Sequence, residues 1–304
     1  MRFFQKTSFN FLKPRRTTYM ISLLIILAGA VSMVVRGIDY GIDFLGGTEI
    51  VLQFDQDVEI GQLRTALGDV GMSQSEIKTF GEDRNILIRT TEQGEGTVVG
   101  DRIKGAIQTS LPNVTFTVQK EYKISPKIGD ELRRDALYAI VASLIAILGY
   151  IAMRFKFIYG VGAVAALFHD VLVTLSIMSL LGIVFPQLSV EITQEVVAAF
   201  LTLVGISVND TVVVFDRIRE NLKIYRTLSL EEVINKSLND TLSRTVITNG
   251  TILLVLFILL FMGGEVTRGF ALALTIGEIT GTYSSIYIAS AIVLDWNLRQ
   301  KKAK

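Results

Sequence analysis

Long apolar segments alternate with charged stretches along this chain, and the alternation separates membrane parts from water-exposed parts. Residues 17–35 carry no charge and follow a basic start. Five more apolar segments cover residues 137–153, 157–184, 196–215, 245–262 and 270–294. A helix of about 20 mostly apolar residues spans a bilayer core. Because the first segment is too long for a typical signal peptide, we interpret it as retained, and the pattern predicts six transmembrane helices.

The stretch between the first two apolar segments predicts an α+β domain. Its apolar positions alternate, and they predict strands at 48–54, 77–80, 85–90 and 114–124, and helices at 59–70 and 97–111. A turn is predicted at Gly81, Glu82 and Asp83. The order β-α-β-β-α-β is typical of a ferredoxin-like domain. The predicted parts are therefore residues 1–36, with the first helix, the domain at 37–125, a five-helix membrane region at 126–296, and a basic tail at 297–304.

The distribution of basic residues predicts the orientation. Residues 1–16, the turn 154–156, the loop 217–226 and the tail are rich in Lys and Arg, whereas residues 185–195 and 263–269 contain one Arg between them. Basic loops stay on the cytoplasmic side. We therefore expect both termini in the cytoplasm and the 37–125 domain outside it. Residues 1–16 also alternate Phe with basic residues, which predicts a short amphipathic stretch on the membrane surface.

Composition excludes several classes of function. The chain has 304 residues, 50% of them hydrophobic, with a mean hydropathy of +0.47, no cysteine and one histidine. Disulfides, thiolate metal sites and His-rich metal sites are excluded, and a net charge of +1 gives no reason to expect a nucleic-acid partner. Gly46-Gly47 is followed by no Lys-Ser/Thr, so a P-loop is excluded. We expect no cofactor, no metal and no enzymatic activity.

Asp210 and Asn209 stand out because they lie among Val, Ile and Phe near the end of an apolar segment. A carboxylate in a membrane segment is costly and by default marks a functional site. The alternative is an Asp near a helix end that interfacial water hydrates. For Asn209 the alternative is a hydrogen bond between helices.

Three further ionisable residues fall inside predicted membrane helices. His169 and Asp170 lie about twelve residues into theirs, near the expected bilayer midplane. Adjacent residues point to different sides of a helix. The alternatives for the pair are a direct role in proton transfer and a structural role inside the bundle, in which one of the two simply bonds a neighbouring helix. Glu278 lies about a third of the way into the last segment. It is either an extra proton acceptor, a residue facing a cavity, or one that snorkels to the interface.

Four stretches resemble the SecD/SecF family of protein-export membrane proteins, which is related to the RND transporters. They are residues 41–48 (GIDFLGGT, similar to the family's D-F-x-G-G-T signature), 168–171 (FHDV), 207–221, and 242–245 (LSRT) with 283–285 (YSS). The resemblance implies half of an RND-like helix bundle in a bacterial inner membrane. It also implies that Asp210 is the functional acid, Arg244 its basic partner, and Asn209 a residue that orients the carboxylate or lines a water path. Glu278 departs from the family pattern.

The resemblance also implies function and partners. The expected role is an accessory subunit that uses an ion gradient, expected to be a proton gradient with sodium as the alternative, to assist preprotein translocation. The expected partners are SecD, the SecYEG channel and the preprotein, with YajC and YidC as further candidates. Two alternatives stay open: half of a small-molecule RND exporter, and a scaffold that tolerates neutral residues in place of Asp210 and Arg244.

Overall fold

The computed structural model describes residues 7–80, 82–185 and 191–302. The chain forms two compact units. The smaller unit consists of Tyr40–Leu137 together with Ile192–Gln194, and the remainder of the described chain forms the larger, helical unit. The predicted amphipathic stretch falls partly on residues 1–6, outside the described residues, and residues 11–14 form a turn before the first helix.

The smaller unit contains a four-stranded antiparallel sheet with the strand order β2-β3-β1-β4. Its elements in chain order are α2 (Ile42–Leu45), β1 (Gly47–Phe54), α3 (Ile60–Asp69), β2 (Glu76–Phe80), β3 (Glu82–Thr90), α4 (Val98–Ser110) and β4 (Phe116–Ile124). The turn predicted at residues 81–83 is wrong for Glu82 and Asp83, which already belong to β3, while Gly81 lies outside the described residues. The hairpin is tighter because Phe80 pairs directly with Glu82.

The core of this unit lies between the sheet and its two longer helices. Ile50 and Leu52 alternate on β1 and are fully buried, together with Leu63 on α3 and Ile103 and Ile107 on α4. Residues two apart on a strand, or four apart on a helix, lie on the same face of the element. The alternating pattern that predicts these elements therefore corresponds to the buried face of each one.

The larger unit is built from long helices. They are α1 (Arg15–Arg36), α5 (Pro126–Arg154), α6 (Phe157–Val184), α7 (Gln194–Ile224), α8 (Leu230–Met262), α9 (Gly264–Ser284), a π-helical turn (Ser285–Ala289) and α10 (Ser290–Lys302). Two of these helices, α5 and α7, have their first residues in the smaller unit. Among the described residues, five helices are long and apolar enough to cross a membrane, namely α1, α5, α6, α7 and α8. The predicted sixth span is not confirmed. Its segment, 270–294, runs through α9, the π turn and α10, and carries Glu278 and many Ser and Thr residues.

Two loops expected in this unit are shorter than predicted. Residues 217–224 of the basic loop 217–226 belong to α7, and α8 begins at Leu230. Ser229 and Glu232 form a capping box that starts α8. The loop expected at 263–269 is reduced to Gly263 between α8 and α9. The basic turn at 154–156 is confirmed, and of the expected loop 185–195 residues 186–190 lie outside the described residues.

Small residues allow close helix packing in the larger unit. A Cβ atom on Gly29 of α1 would overlap with the backbone and side chain of Ser176 on α6. A Cβ atom on Gly162 of α6 would lie 3.0 Å from the carbonyl oxygen of Ala289 in the π turn. Small residues at such crossings let helix backbones approach closely in membranes. Helix α6 therefore packs closely against α1 and against the π turn.

Candidate functional site

Asp210 lies at the centre of a polar contact between three helices. Asn249 on α8 donates one amide hydrogen to Asp210 Oδ2 on α7 at 2.5 Å and the other to Thr282 Oγ1 on α9 at 2.6 Å. Thr282 in turn donates to the carbonyl oxygen of Glu278, one turn earlier on α9, at 2.9 Å. Asp210 is 8% exposed and Asn249 3%. The carboxylate is therefore buried and is held by a neutral amide.

Arg244 and Asn209, the two other predicted coupling residues, are exposed in this structure. Arg244 is close enough to interact electrostatically with Asp210. Among the ion pairs between described residues, however, none joins Arg244 to Asp210. Asn209 precedes Asp210 on α7 but points away from the buried face. The structure thus brings Asp210 together with Asn249 and leaves the predicted basic partner apart from it.

His169 and Asp170 are both buried, with exposures of 8% and 1%. His169 Nδ1 lies 3.0 Å from Asp170 Oδ1. Adjacent residues point to different sides of a helix, and both of these side chains nevertheless face other helices. The reason is that α6 has close neighbours on more than one side, with α1 contacting one face and α7 and α9 the other.

Asp170 collects donors from two further helices. Ser207 on α7 donates to Asp170 Oδ2 at 2.6 Å, and Ser284 on α9 donates to the same oxygen at 2.8 Å. Gly281 makes room for this arrangement, because a Cβ there would lie 3.1 Å from Ser207 Cβ and 3.6 Å from Asp170 Oδ2. The carboxylate therefore accepts hydrogen bonds through both of its oxygens.

A chain of hydrogen bonds continues from His169 to α1. His169 Nε2 lies 2.8 Å from Ser22 Oγ, which lies 3.2 Å from the hydroxyl of Tyr283. Tyr283 donates to the carbonyl oxygen of Thr18 at 2.9 Å, and its ring stacks on that of His169. Four polar groups thus connect α6, α1 and α9.

Glu278 is the third buried carboxylate of this region and is 3% exposed. It interacts electrostatically with both Asp210 and Asp170. Within the part of the chain that the structure describes, Glu278 Oε1 and Asn249 Oδ1 have no hydrogen-bond partner. Buried oxygens of this kind normally bind a donor or an ordered water. Of the three possibilities for Glu278, snorkelling to the interface is not what the structure shows.

A further buried carboxylate, Asp43, lies just before the Gly-Gly segment and joins two elements. Asp43 on α2 accepts a hydrogen bond from the backbone N–H of Gln194, the first residue of α7, at 3.0 Å. Tyr40 forms a parallel bridge with Ile192 just before it. Gly47 has a φ of 139° and leaves no room for a Cβ beside the carbonyl oxygen of Thr90. The segment is therefore a tight connection, and Asp43 accepts the first backbone N–H of the helix that carries Asp210.

Several members of these clusters were not predicted from the sequence. They are Ser22, Asn249 and Thr282, while Ser207, Tyr283 and Ser284 were noted only as parts of motifs. Asn249 had a signal of its own, because it is an amide inside an otherwise apolar segment. Ser and Thr give little signal, since they are common in membrane helices. In the described chain, no group of three or more His, Cys, Asp or Glu residues is placed to hold a metal ion.

Comparison with known families gives two matches along the chain. The family model for the C-terminal part of the protein export membrane proteins SecD and SecF matches residues 104–299, and the model of the SecD/SecF GG motif matches residues 31–58. The second match contains the Gly-Gly segment and Asp43. The first contains Asp210, Asn249, Glu278 and the His-Asp pair.

Curated relatives and solved structures agree with these matches. The chain is 45% identical over 299 residues to the protein translocase subunit SecF of Rhodothermus marinus, covering 98% of this chain and 96% of the relative. It is 38% identical to SecF of Vibrio alginolyticus, covering 96% and 91%. The crystal structure of SecDF, a translocon-associated membrane protein from Thermus thermophilus, matches with a TM-score of 0.83 and 38% identity, over 96% of this chain and 39% of that one. A super-membrane-facing form of SecDF matches with a TM-score of 0.72 and 37% identity, over 99% and 40%.

Proposed function

Since the chain belongs to the SecD/SecF family, we propose that it is an accessory subunit of the Sec protein-export machinery and uses an ion gradient to assist preprotein translocation through SecYEG. It spans about two fifths of the solved SecDF chains that it matches. We therefore propose that a SecD chain supplies the rest of the membrane bundle. YajC and YidC are further candidate partners.

The proposed architecture follows the same premise. The chain has six spans in a bacterial inner membrane, the sixth being the run from α9 to α10, with both termini in the cytoplasm. The smaller unit is an external domain of the ferredoxin-like class, and its strand order β2-β3-β1-β4 supports this assignment. The exposed side chains of Asn209 and Arg244 would face the SecD half.

The observation that carries the proposed mechanism is the Asn249–Asp210 contact. A carboxylate buried between α7, α8 and α9 and bonded by an amide can keep this hydrogen bond whether or not it carries a proton, because the amide donates to either form. Arg244 lies on the same helix as Asn249, five residues earlier. We propose two states, one with Asp210 bonded to Asn249 and one with Asp210 paired to Arg244. An exchange of partners on α8 requires α8 to move relative to α7.

The energy for such a movement is available from the gradient. One proton crossing 100 mV releases about 2.3 kcal/mol, which is comparable to the free energy of one hydrogen bond to a charged group, about 1.5–3 kcal/mol. Protonation of Asp210 removes the charge that attracts Arg244, and loss of the proton restores that charge. The movement of α7 would reach the segment around Asp43 through the hydrogen bond from Gln194.

The experiment is preprotein export into membrane vesicles that contain the full complex, with and without an imposed gradient. Asp210→Asn and Arg244→Met should each abolish the gradient-dependent part of export, while assembly with SecD stays intact. Asp69→Asn and Arg226→Met change exposed residues of the same two types and should export like the unaltered protein. A full gradient response in Asp210→Asn would contradict the proposal and favour a scaffold. Separate proton and sodium gradients identify the ion.

A further inference from the structure

The hydrogen bonds that start at His169 need one more proton than the side chains involved supply in their usual forms. The mechanism proposed at Asp210 does not involve this proton. We propose that His169 and Asp170 form a second proton-binding site, whose extra proton completes the hydrogen-bond chain from α6 through α1 to α9. The inference rests on the proposed function only for the use of this proton during export. The site itself is argued from its geometry.

The hydrogen-bond chain from α6 through α1 to α9 has four contacts, and each needs one hydrogen atom. They are His169 Nδ1 to Asp170 Oδ1 at 3.0 Å, His169 Nε2 to Ser22 Oγ at 2.8 Å, Ser22 Oγ to the Tyr283 hydroxyl at 3.2 Å, and that hydroxyl to the carbonyl oxygen of Thr18 at 2.9 Å. The carbonyl of Thr18 can only accept. Asp170 Oδ2 already accepts from Ser207 and Ser284. Among the described residues, the donors bonded at these four contacts are members of the hydrogen-bond chain itself.

The members of the chain supply too few hydrogens when the pair lacks its extra proton. A neutral imidazole has one N–H, and Ser22 and Tyr283 have one O–H each. Three hydrogens leave one of the four contacts empty. One additional proton, either as an imidazolium beside a carboxylate or as an imidazole beside a carboxylic acid, fills all four. In either form the pair has no net charge, as its burial requires.

The groups around the pair favour retention of this proton. On α9 the titratable neighbours are Tyr283 and Glu278, and Glu278 interacts electrostatically with Asp170. On α7, Ser207 bonds Asp170, and Asp210 follows one turn later. Helix α1 contributes Ser22 and has no charged residue between Arg16 and Arg36. The ionisable groups among these neighbours are acidic, so a net negative pair would be repelled on α7 and α9 alike.

Loss of the proton has a specific structural consequence. Ser22 then donates its only hydrogen to His169 Nε2, and Tyr283 keeps its own for Thr18. The contact between Ser22 and Tyr283, 3.2 Å long, is left with two oxygens and no hydrogen. Tyr283 lies next to the π turn in the helix that carries Glu278 and Thr282. Proton occupancy at His169–Asp170 therefore decides how firmly α1 is bonded to α9.

The protein offers a clean probe, because His169 is its only histidine. The full chain, labelled with ¹⁵N-histidine and assembled in bilayers, gives one pair of ring-nitrogen signals. At pH 7 we expect either two N–H nitrogens or a carboxylic acid band in the infrared spectrum that Asp170→Asn removes. A singly protonated ring beside an ionised Asp170 would overturn the proposal.

A matched pair of variants tests the role of the hydrogen-bond chain. Tyr283→Phe removes two of the four contacts, so the remaining two need no extra proton. The ratio of the protonated to the deprotonated pair at a fixed pH should then fall by roughly twofold to tenfold, the effect of one hydrogen bond between neutral groups. Tyr150→Phe alters an exposed tyrosine of α5 and should leave the ratio unchanged. An unchanged ratio in Tyr283→Phe would overturn the proposal. Since no export is measured, a failed coupling role for Asp210 would not affect this result.

Discussion

Asn249 lies 2.5 Å from Asp210 and bonds its carboxylate with an amide hydrogen. The same amide nitrogen donates its second hydrogen to Thr282, so a single side chain of α8 connects α7 and α9. Its carbonyl oxygen has no partner among the described residues. Asn249 is therefore the residue through which the charge state of Asp210 can affect two other helices.

We expect Asn249→Leu to impair gradient-dependent export nearly as strongly as Asp210→Asn. The substitution leaves the buried carboxylate without its donor, and the loss of a hydrogen bond to a charged group costs about 1.5–3 kcal/mol, or roughly a tenfold to hundredfold effect. The measurement is export into vesicles with an imposed gradient. Asn297→Leu is the control, because Asn297 bonds only the backbone of its own helix. Equal gradient responses in the two variants would show that the contact has no part in coupling.

We expect Gly29→Ala to loosen the packing of α1 on α6. The added methyl group would overlap with the backbone of Ser176, which cannot rotate away as a side-chain end can. Overpacking of this kind costs about 1–3 kcal/mol. The measurement is the free energy of unfolding of the full chain in mixed micelles. Gly149→Ala, where the new methyl group meets nothing within 4 Å, should be neutral or stabilising, and the same cost in both variants would argue against the close contact.

The smaller unit should lose stability in acid. Burial acts to raise the pKa of Glu49, but the hydrogen bonds and charge of Arg89, followed by those of Lys120, outweigh it and hold that pKa below its usual 4.5. A carboxylate with a lowered folded-state pKa stabilises the fold above its unfolded-state pKa, and this contribution disappears as the pH falls through the folded-state value.

Hydrogen exchange of the full chain between pH 3 and 7 measures this effect. The amides of β1 and β4 should lose protection below about pH 4.5, the ordinary range of a glutamate. Glu49→Gln should reduce protection at pH 7 and flatten the pH dependence, whereas Glu92→Gln, at an exposed position, should change neither. A steep acid transition that persists in Glu49→Gln would assign it to other carboxylates.

The proposed orientation can be tested with single cysteines, because the chain has none of its own. Gln93 in the smaller unit and Thr227 between α7 and α8 are both exposed. We expect a thiol reagent that cannot cross membranes to label Gln93→Cys from outside intact cells and Thr227→Cys only after the membrane is opened. Labelling of both from the same side would contradict the positive-inside assignment.

The sequence by itself determined the elements of the smaller unit and the positions of the apolar segments. Ile50 and Leu52 lie two residues apart because a strand has two faces. Residues 17–35 are uncharged because a charged side chain is costly in a bilayer. Both rules act locally along the chain, so a reader of the sequence can apply them. Asp210 was found for the same reason, since its cost depends on its immediate apolar neighbours.

Only the tertiary structure decided what the buried carboxylates contact. Arg244 was expected beside Asp210, but Asn249 holds that position, and which of two residues on one helix meets a partner depends on helix rotation. His169 and Asp170 point to different sides of α6, and only the packing shows that neighbouring helices cover both. The partners Ser22, Ser207 and Tyr283 come from helices far apart in the chain. A hydroxyl in the sequence has no preferred partner until packing brings one within about 3 Å, and that packing is a property of the whole bundle.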